Sequence, residues 1–417
     1  MLVVGGGARE DALSWRLRES PSCEEIFAAP GNAGTAQRGT NWQIAATDGI
    51  ALAKRATSER IELAVLGPET AIAAGVGDRL RDAQIPVFGP SRSAGRLESS
   101  KIFAKRFMER HGIPTARASV AHSLDGALRA LDHYGDAVAI KADGLAAGKG
   151  VVVAEDRGSA AATLEDWYAG RVPGGGNDVI IEERLFGREM SLFALSDGRQ
   201  FFPFGAACDY KRAGDGDSGP NTGGMGAYSP PYSFPDDFEA IVRERVLEPL
   251  RLGLESERER YVGILYCGLM WSADGPRVIE FNARLGDPEA QALLPRFEGD
   301  LAALFLAAAN GDAGESAFAF SSSACAAVVL ASAGYPLRAT PLHAMPSQFE
   351  LPAECRVFWG SSTLGEGGVD AAGGRVLTVS ATGSDLGAAR ARVYECVRAL
   401  AAKLGTYDLT FRTDIAG

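Results

Sequence analysis

The chain has 417 residues, of which 46% are apolar and 23% charged, and its formal net charge is −11. This length predicts roughly two to four domains. The composition excludes a disordered chain, a collagen-like chain and a coiled coil. The acidic balance argues against nucleic acid as the main partner, although it is compatible with a local pocket for small anions.

The targeting and cysteine patterns favour a cytoplasmic protein. The N-terminus lacks the basic and apolar regions of a secretory signal, and no run reaches the ~18 apolar residues of a membrane span. The six cysteines lie far apart and form no C-x-x-C pair. We therefore expect reduced thiols rather than a disulfide framework or a zinc site.

The first hundred residues alternate short apolar runs with helical stretches, and each run ends at a glycine or a proline. Strands are predicted at Leu2–Val4, Ile26–Ala29, Leu63–Leu66 and Val87–Phe88, and a helix at Glu10–Arg18. This rhythm is typical of a parallel sheet, whose ligands bind outside the carboxyl ends of the strands. It predicts an N-terminal α/β domain over residues 1–98.

The pattern changes after residue 98 and again near residue 316, which predicts a central domain over 99–315 and a separate α+β domain over 316–417. Central strands are predicted at Val138–Lys141, Val151–Ala154, Val179–Ile181, Met190–Leu195, Ile264–Trp271 and Arg277–Asn282, and central helices at Lys101–His111, Asp236–Leu252 and Leu301–Ala309. C-terminal strands are predicted at Ala324–Ala331, Cys355–Trp359 and Gly374–Ser380, followed by a helix at Asp385–Leu404. Residues 209–229 are polar and glycine-rich without apolar periodicity, so a long functional loop is predicted there.

The loop after the first predicted strand has the features of an anion site. Glu10 stands where a dinucleotide fingerprint needs its third glycine, so Gly5–Gly7 does not predict NAD binding. The following helix still directs backbone N–H groups and its positive end at the loop, and Arg9 adds a fork suited to phosphate. A phosphate or phosphosugar site is predicted, and a tight strand-to-helix turn is the alternative.

A second glycine-rich loop, Lys141–Gly150 (KADGLAAGKG), lies between two predicted strands. It is not a P-loop, because its glycine spacing is one residue short and Gly150 replaces the serine or threonine. Backbone N–H groups flanked by two lysines suit a polyphosphate lying along a hairpin. A plain hairpin turn is the alternative.

The end of the strand at Arg277–Asn282 carries a candidate metal site. Period-two alternation places Glu280 and Asn282 on one face and Phe281 in the core behind them. A carboxylate and an amide oxygen suit Mg²⁺, and Arg284 could hold a carboxylate or phosphoryl oxygens. A surface salt bridge is the alternative.

Two further segments are weaker candidates. The acidic turn after Val179–Ile181 could offer backbone groups to adenine and a carboxylate to ribose, or it could be a solvated turn. The glycine-rich segment Gly219–Gly226 has no pattern of helix or strand. It is predicted to order around a ligand, and a disordered linker is the alternative.

The order of these motifs resembles the ATP-grasp superfamily and, within it, the phosphoribosylamine–glycine ligase family. The resemblance covers nearly the whole chain, and it is carried by Pro30–Thr35, Gly67–Glu69, Lys141–Gly150, Gly219–Pro230, Val278–Asn282, Gly286–Glu289 and Gly373–Leu377. It implies an N-terminal parallel-sheet pre-ATP-grasp domain, a central ATP-grasp domain with a lid at about 112–184, and a small C-terminal α+β domain.

The resemblance also implies the activity. The family joins 5-phosphoribosylamine to glycine through glycyl phosphate, with ATP cleaved to ADP and phosphate, in purine biosynthesis. ATP and Mg²⁺ or Mn²⁺ would be required. The partners would be these small molecules, with no nucleic acid or membrane, and the chain would act as a monomer or, alternatively, a homodimer.

Carried over by position, the resemblance implies the site residues. The ATP-binding residues would be Lys101, Lys141, Gly144, Gly148, Lys149, Glu182, Glu183, Leu185 and Glu189, with the Gly144–Gly150 loop as lid. The metal ligands would be Glu280 and Asn282, and the catalytic residues Arg284, Lys141 and Asp209. The phosphosugar and glycine would be held by Gly7, Arg9, Glu10, Gly31, Asn32, Lys211, Pro220, Asn221, Thr222, Gly223, Gly224, Asp287 and Pro288.

Three positions depart from the family pattern, because Asp11, Tyr210 and Trp359 stand where the family has histidine. Asp11 would bring negative charge toward a phosphate, so Asp11→His is expected to raise affinity for phosphoribosylamine. The departures motivate an alternative function, a related ATP-grasp carboxylate–amine ligase with a different amine or acid. A nucleotide-binding scaffold without activity is a third hypothesis, and retention of Lys141 and Glu280 argues against it.

Overall fold

The computed structural model describes residues 1–145, 150–171, 178–314 and 318–417. Its N-terminal part is built on a parallel sheet, as predicted. The strands are Leu2–Gly5 (β1), Phe27–Pro30 (β2), Thr40–Asn41 (β3), Ala64–Leu66 (β4) and Val87–Phe88 (β5), in the order β3-β2-β1-β4-β5. The helices are Ala8–Arg18 (α1), Gly49–Ser58 (α2), Glu69–Ala73 (α3), Val76–Asp82 (α4), Arg96–Ser99 (α5) and Lys101–Arg110 (α6). The loops after β1, β2 and β4 all open at one edge of the sheet, because the strands run in one direction.

A small antiparallel sheet follows, and the predicted strands in it are confirmed. Its strands are Ala118–Ala121 (β6), Val138–Ala142 (β7), Val151–Ala154 (β8) and Val179–Glu183 (β9), in the order β6-β9-β7-β8. Helices Leu124–Ala130 (α7) and Arg157–Tyr168 (α8) cover one face of this sheet around the buried Trp167. The predicted phosphate loop connects β7 and β8 in sequence, and its residues 146–149 lie outside the described residues.

The central region contributes strands to a third, larger sheet and also contains short strands outside that sheet. The strands are Arg188–Asp197 (β10), Phe201–Asp209 (β11), Arg212–Gly214 (β12), Ser218–Asn221 (β13), Gly226–Ser229 (β14), Val262–Ser272 (β15), Gly275–Asn282 (β16) and Phe297–Glu298 (β17). The helices are Phe238–Val242 (α9), Glu248–Ser256 (α10), Glu289–Leu293 (α11) and Leu301–Asn310 (α12), with a π-helical turn at Arg243–Leu247 between α9 and α10.

The C-terminal region continues this sheet rather than forming an isolated one. Its elements are Ala319–Phe320 (β18), Ala324–Ser332 (β19), Leu342–Met345 (β20), Cys355–Trp359 (β21), Ser362–Gly365 (β22), Gly368–Ala371 (β23), Arg375–Gly383 (β24), Leu386–Lys403 (α13) and Leu409–Thr410 (β25). One sheet runs β16-β15-β10-β11-β14-β19-β24-β21 across both regions. The predicted separate unit therefore shares backbone hydrogen bonds with the central region through β14 and β19.

Two predictions about these regions are wrong. Residues 209–229 are not an irregular loop: they contain the hairpin β12–β13 and strand β14, whose residue Gly226 pairs with Val328 of β19. Strand β14 lies between β11 and β19, and β19 comes from a segment about a hundred residues away, so local periodicity does not indicate the strand. The expectation of reduced thiols fails for Cys355 and Cys396, which form a disulfide between β21 and α13 because the fold packs that helix against that strand.

In the four described ranges, no helix is both long enough and apolar enough to cross a bilayer.

Candidate active site

A cleft between helices α5 and α6, the β7–β8 hairpin and strand β16 gathers most of the residues predicted to act on ATP. It has about 760 Å³ of empty space, part of it open to solvent. The predicted site residues that line it are Lys101, Lys141, Glu182, Glu280, Asn282 and Arg284. Gly148 and Lys149 lie outside the described residues.

A buried carboxylate joins two lysines on one wall of the cleft. Glu182 Oε2 lies 2.8 Å from Lys141 Nζ, and its Oε1 lies 3.0 Å from Lys105 Nζ. Lys141 Nζ also donates to the Ile279 carbonyl at 2.9 Å. Burial lowers the pKa of Lys105, and the charge of Lys141 adds to that effect, while Glu182 opposes it. Glu182 thus organises the two lysines, and its predicted place beside the adenine remains a prediction.

Lys101 lies at the mouth of the cleft, where helix α6 begins. Its Nζ donates to the Gly144 carbonyl at 2.9 Å. Ser100 caps the helix, since its hydroxyl accepts from the Phe103 N–H, and it donates to the Asp143 carboxylate. The start of the helix is therefore tied directly to the start of the predicted phosphate loop.

The alternation predicted for the end of β16 is confirmed. Phe281 is 2% exposed in the core, whereas Glu280 and Asn282 line the cleft. Burial alone would raise the pKa of the Glu280 carboxyl group, but the charges of Lys211, Lys141 and Lys101 outweigh this effect and lower that pKa.

The donor set at this position fits a hard divalent cation. An ionised carboxylate and an amide oxygen suit Mg²⁺ or Mn²⁺, and among the described residues the cleft lining contains neither cysteine nor histidine. Within the described part of the chain, no cluster of three or more His, Cys, Asp or Glu side chains offers a ready-made metal cage. A cation at Glu280 and Asn282 would therefore take its remaining ligands from substrate phosphates or water, which is the usual behaviour of Mg²⁺.

Arg284 is held between two carboxylates. Its Nε donates to Glu69 Oε2 at 2.9 Å, and its Nη2 lies 2.9 Å from Glu98 Oε1. The second oxygen of Glu98 accepts from the Ala283 N–H at 2.7 Å. Burial would raise the pKa of Glu69, but the charges of Arg284 and Arg9 lower it to about 2. The guanidinium is consequently fixed in orientation before any substrate arrives.

Glu182, predicted beside the adenine, lines the cleft, whereas Glu183, Leu185 and Glu189 are not part of its lining. Glu183 pairs with Arg117 at 2.9 Å and with Arg277 at 3.1 Å. Glu189 pairs with Lys211 at 2.7 Å, and Leu185 is half-buried after the end of β9. Their roles as ATP contacts remain predictions.

Asp209, Lys211 and Glu289 form a charged cluster beside the cleft. Lys211 Nζ lies 4.0 Å from Asp209 Oδ1 and 2.7 Å from Glu189 Oε2. Burial raises the pKa of Asp209, and Lys211 opposes the shift. Burial, followed by the charge of Asp209, raises the pKa of Glu289 to about 7, and a hydrogen bond from Tyr266 opposes this. Asp209 and Glu289 are therefore interacting acids, and a catalytic role for Asp209 remains a prediction.

The second half of the site is a junction of three loops around Arg375. Arg375 Nη1 donates to the Gly223 carbonyl at 2.8 Å and to the Asp287 carbonyl, and it lies 3.5 Å from Asp287 Oδ1. A Cβ at Gly7 would lie 3.6 Å from Asp287 Oδ2. The predicted substrate residues Gly7, Gly223 and Asp287 therefore meet, although they come from three separate motifs. Burial raises the pKa of Asp287, but Arg375 and Arg9 outweigh it and lower that pKa.

The first loop is shaped by its own side chains. Glu10 accepts from the Gly7 N–H and from Arg9 Nε, both at 2.6 Å, and Arg9 Nη1 donates to the Leu285 carbonyl at 3.2 Å. Both side chains are buried. Arg9 and Glu10 thus support the loop, and the predicted phosphate contact by Arg9 would use its remaining donors.

The loop after β2 is equally constrained. Gly31 has φ +72°, and a Cβ there would overlap the Asn41 side chain, so glycine is required. Asn32 is 1% exposed, and its amide is hydrogen-bonded to protein backbone on both sides. The Asn32 amide therefore holds the loop backbone, and its predicted contact with substrate remains a prediction.

The remaining predicted substrate residues divide by position. Pro220 and Asn221 lie in strand β13 of the short hairpin. Thr222 is 8% exposed, and its N–H and hydroxyl both donate to the Lys211 carbonyl. Gly224 has φ +112° and packs against Pro288, leaving no space there for a side chain.

The three positions that depart from the family pattern contact protein groups rather than the cleft. Asp11 is fully buried and pairs with Arg38 at 2.7 Å, and Trp359 is 2% exposed. The Tyr210 hydroxyl accepts from the Ala416 N–H at 3.0 Å. The expectation that Asp11 faces a phosphate is wrong, because the ion pair with Arg38 turns its carboxylate into the protein.

Five side chains of the site were not predicted: Lys105, Glu69, Glu98, Glu289 and Arg375. Lys105 could have been found, because it follows Lys101 by one helical turn and shares its face. Glu69, Glu289 and Arg375 lie in motifs that carry the family resemblance. Glu98 has no signal in the sequence.

Comparison with known families covers nearly the whole chain. Models of phosphoribosylglycinamide synthetase match it as the N domain over residues 1–98, the ATP-grasp (A) domain over 99–290 and the C domain over 325–417. The phosphoribosylamine–glycine ligase of Allochromatium vinosum is 44% identical over 403 residues, covering 95% of this chain and 94% of that protein. The corresponding ligase of Leifsonia xyli subsp. xyli is 44% identical over 423 residues, covering 100% and 99%.

Solved structures agree with this likeness. The crystal structure of phosphoribosylamine–glycine ligase from Thermotoga maritima matches with a TM-score of 0.82 and 30% identity, covering 99% of both chains. The biotin carboxylase domain of 2-oxoglutarate carboxylase from Hydrogenobacter thermophilus, solved with MgADP and bicarbonate, matches with a TM-score of 0.72. That match covers 98% of this chain and 90% of the other at 15% identity, so it shows a common fold alone.

Proposed function

We propose a mechanism for this cleft from the premise that the chain belongs to the phosphoribosylamine–glycine ligase family. It is an ATP-grasp ligase of purine biosynthesis that joins 5-phosphoribosylamine to glycine. The observation that carries the mechanism is the convergence of Lys141, Glu280 and Arg284 in one cleft, with the loop junction around Arg375 beside it. The cleft would take ATP, and the junction would take the phosphosugar.

The first proposed step activates glycine. A glycine carboxylate oxygen attacks the γ-phosphorus of ATP, the bond from that phosphorus to the β–γ bridging oxygen breaks, and ADP leaves with the electron pair. Lys141 has three N–H donors, and among the described residues two are directed at Glu182 and the Ile279 carbonyl. The third is available for a phosphate oxygen. Arg284, fixed by Glu69 and Glu98, orients the carboxylate or the transferring group.

The second proposed step forms the amide. The amine nitrogen of phosphoribosylamine attacks the carbonyl carbon of glycyl phosphate, the carbon–oxygen bond breaks, and phosphate leaves with the electron pair. The nitrogen loses one proton to the leaving phosphate or to solvent. Water must be kept away from the acyl phosphate, because hydrolysis would waste it. Closure of the β7–β8 hairpin over the cleft is the proposed means of excluding water.

A divalent cation at Glu280 and Asn282 would neutralise phosphate charge when bound, and Mg²⁺ is the proposed ion with Mn²⁺ as the alternative. Glu280 suits this role because three lysines keep its carboxyl group ionised. Glu182 and Leu185 are proposed to flank the adenine and Glu189 to contact the ribose, with Glu183 in the same ATP-binding segment. A cytoplasmic monomer remains the expected form of the enzyme.

The alternative of a different amine or acid substrate receives no support from the positions that motivated it. Asp11 pairs with Arg38, and Tyr210 hydrogen-bonds to the C-terminal segment. Trp359 is buried against Phe349. Their side chains are used in packing, so we retain the family's substrates.

The test is ADP release with ATP, Mg²⁺ and glycine, with and without freshly generated phosphoribosylamine. Dependence on both substrates is expected. Glycine labelled with ¹⁸O in the carboxylate should pass one labelled oxygen to inorganic phosphate, because the carbon–oxygen bond of the acyl phosphate breaks in the second step. Turnover that ignores phosphoribosylamine, or phosphate without label, would contradict the proposal.

A further inference from the structure

Asp11 and Arg38 form an ion pair behind the loop after β2. Asp11 Oδ1 accepts from Arg38 Nε at 2.7 Å, and its Oδ2 accepts from the backbone N–H of Trp359 at 2.8 Å. Asp11 is fully buried, whereas the Arg38 side chain is 21% exposed. One carboxylate therefore joins helix α1, the segment after the loop, and strand β21 of the C-terminal region.

The loop after β2 is held in place by hydrogen bonds of the Asn32 side chain. The Asn32 side chain accepts from the N–H groups of Gly34 and Thr35 at 2.9 Å, and it donates to the Gly7 and Trp359 carbonyls at 3.0 and 2.7 Å. These bonds connect the first loop, the second loop and β21. The position of the Gly7 backbone thus depends on where β21 lies.

The ion pair and the loop are in direct contact. A Cβ at Gly34 would overlap the Asp11 carboxylate, so the loop backbone rests on that carboxylate. A displacement of the Asp11 carboxylate would therefore disturb the Gly34 backbone, whose N–H donates to the Asn32 side chain. The Asn32 side chain also donates to the Gly7 carbonyl, and Gly7 lies beside Asp287 at the loop junction described above.

We propose that Asp11 and Arg38 are positioning residues for the phosphosugar half of the site. Their ion pair sets the 31–35 loop against the C-terminal region and thereby places the Gly7 backbone at the loop junction. This rests on the proposed function in that phosphoribosylamine is the ligand whose binding depends on the pair. It also accounts for aspartate at position 11, since a histidine there would lose the charge that matches Arg38.

The variants are Asp11→Asn, Arg38→Gln and the double variant, with Glu59→Gln as control. Glu59 forms an exposed ion pair with Arg55 on α2 of the same region. We expect Asp11→Asn and Arg38→Gln each to raise the KM for phosphoribosylamine on the order of tenfold, while kcat and the KM for ATP stay within about twofold. The double variant should be less impaired than the product of the single effects, because the uncompensated charge is removed. The control should match the wild type.

Two results would overturn the proposal: an unchanged KM for phosphoribosylamine in both single variants, or an equal loss in the KM for ATP and in kcat. A general loss of that kind would mean that the pair serves overall stability alone. If Asp11→Asn does not fold, Arg38→Lys provides the same comparison, because it keeps the charge but loses the planar guanidinium that places Nε against Asp11.

Hydrogen exchange tests the positioning role of the ion pair independently of the proposed reaction. Amides of residues 31–38 should exchange faster in Arg38→Lys than in the wild type, while those of strand β4 are unchanged. Unchanged exchange at 31–38 would overturn the positioning role even in an active enzyme. A wild-type protein without phosphoribosylamine-dependent turnover would instead refute the proposed function, and the exchange result would still decide the role of the pair.

Discussion

The guanidinium of Arg284, at the end of β16, donates from Nε to Glu69 of helix α3 at 2.9 Å. This ion pair links the predicted catalytic arginine of the ATP-grasp region to the N-terminal region. Arg9 lies close enough to contribute to the lowered pKa of Glu69. The orientation of Arg284 therefore depends on how the two regions are assembled, and this relation can be tested by substitution.

Glu69→Gln should impair catalysis without unfolding the protein. The amide retains one acceptor oxygen for Arg284 but loses the charge that holds the guanidinium, so we expect kcat to fall by about 10- to 100-fold. Steady-state kinetics with all three substrates measures this, and Glu62→Gln, at an exposed position of the same region, is the matched control. A wild-type kcat in Glu69→Gln would mean that Glu98 alone fixes Arg284.

Glu280→Ala should abolish turnover while the fold survives. The substitution removes the carboxylate proposed to hold the divalent cation, and Asn282 alone is a weak ligand. ADP release should be measured over a wide range of Mg²⁺ concentration, with thermal unfolding as the measure of folding. Glu298→Ala, at an exposed position, serves as control. A wild-type rate at ordinary Mg²⁺ would exclude Glu280 as a metal ligand.

Glu182→Gln should destabilise the protein even without ATP. It leaves Lys105 and Lys141 buried beside each other without their shared carboxylate. Breaking a buried charge group in this way typically costs roughly 3–5 kcal/mol of unfolding free energy. Urea denaturation measures this loss, and Glu165→Gln on the exposed face of α8 should change stability little. Equal midpoints for the two variants would show that the lysines do not need Glu182.

The stability of the free protein should fall with rising pH because of Glu289. Its pKa of about 7 in the folded protein lies above the ordinary value of 4.5. The folded state therefore binds more protons than the unfolded state between these values. The contribution is full below pH 4.5 and is lost as pH rises through 7, at a slope of up to about 1.4 kcal/mol per pH unit.

Glu289→Gln should remove this slope, because glutamine does not titrate. Denaturation midpoints between pH 5 and 8, without nucleotide or metal, measure the effect. Glu244→Gln, at an exposed position of the central region, should retain the wild-type slope. A slope that persists in Glu289→Gln would assign it to another buried acid of the cluster, such as Asp209.

Much of the fold follows from local patterns. The parallel sheet and strands β7, β8, β15 and β16 are predicted from sequence, because their apolar runs and turn residues are contiguous. Strand β14 does not follow from local patterns, since it is four residues long and is held between β11 and the distant strand β19. The continuity of the sheet across the central and C-terminal regions was missed for the same reason.

The residues of the site likewise divide into those predicted from local patterns and those brought together only by the tertiary structure. Alternation along β16 determined that Glu280 and Asn282 share a face, because side chains on a strand point to opposite sides in turn. The helical spacing of Lys101 and Lys105 likewise determined that they share a face. Motif order, read as a whole, determined the family, which the comparisons confirm.

Tertiary structure alone decided which charges meet. Arg284 reaches Glu69 across more than two hundred residues, and Asp11 meets both Arg38 and the Trp359 backbone. These contacts cannot be predicted from local sequence, because they depend on how whole helices and strands pack together. The sequence therefore determined that position 11 has a carboxylate side chain. Only the tertiary structure decided that this carboxylate is buried and pairs with Arg38 rather than facing the substrate.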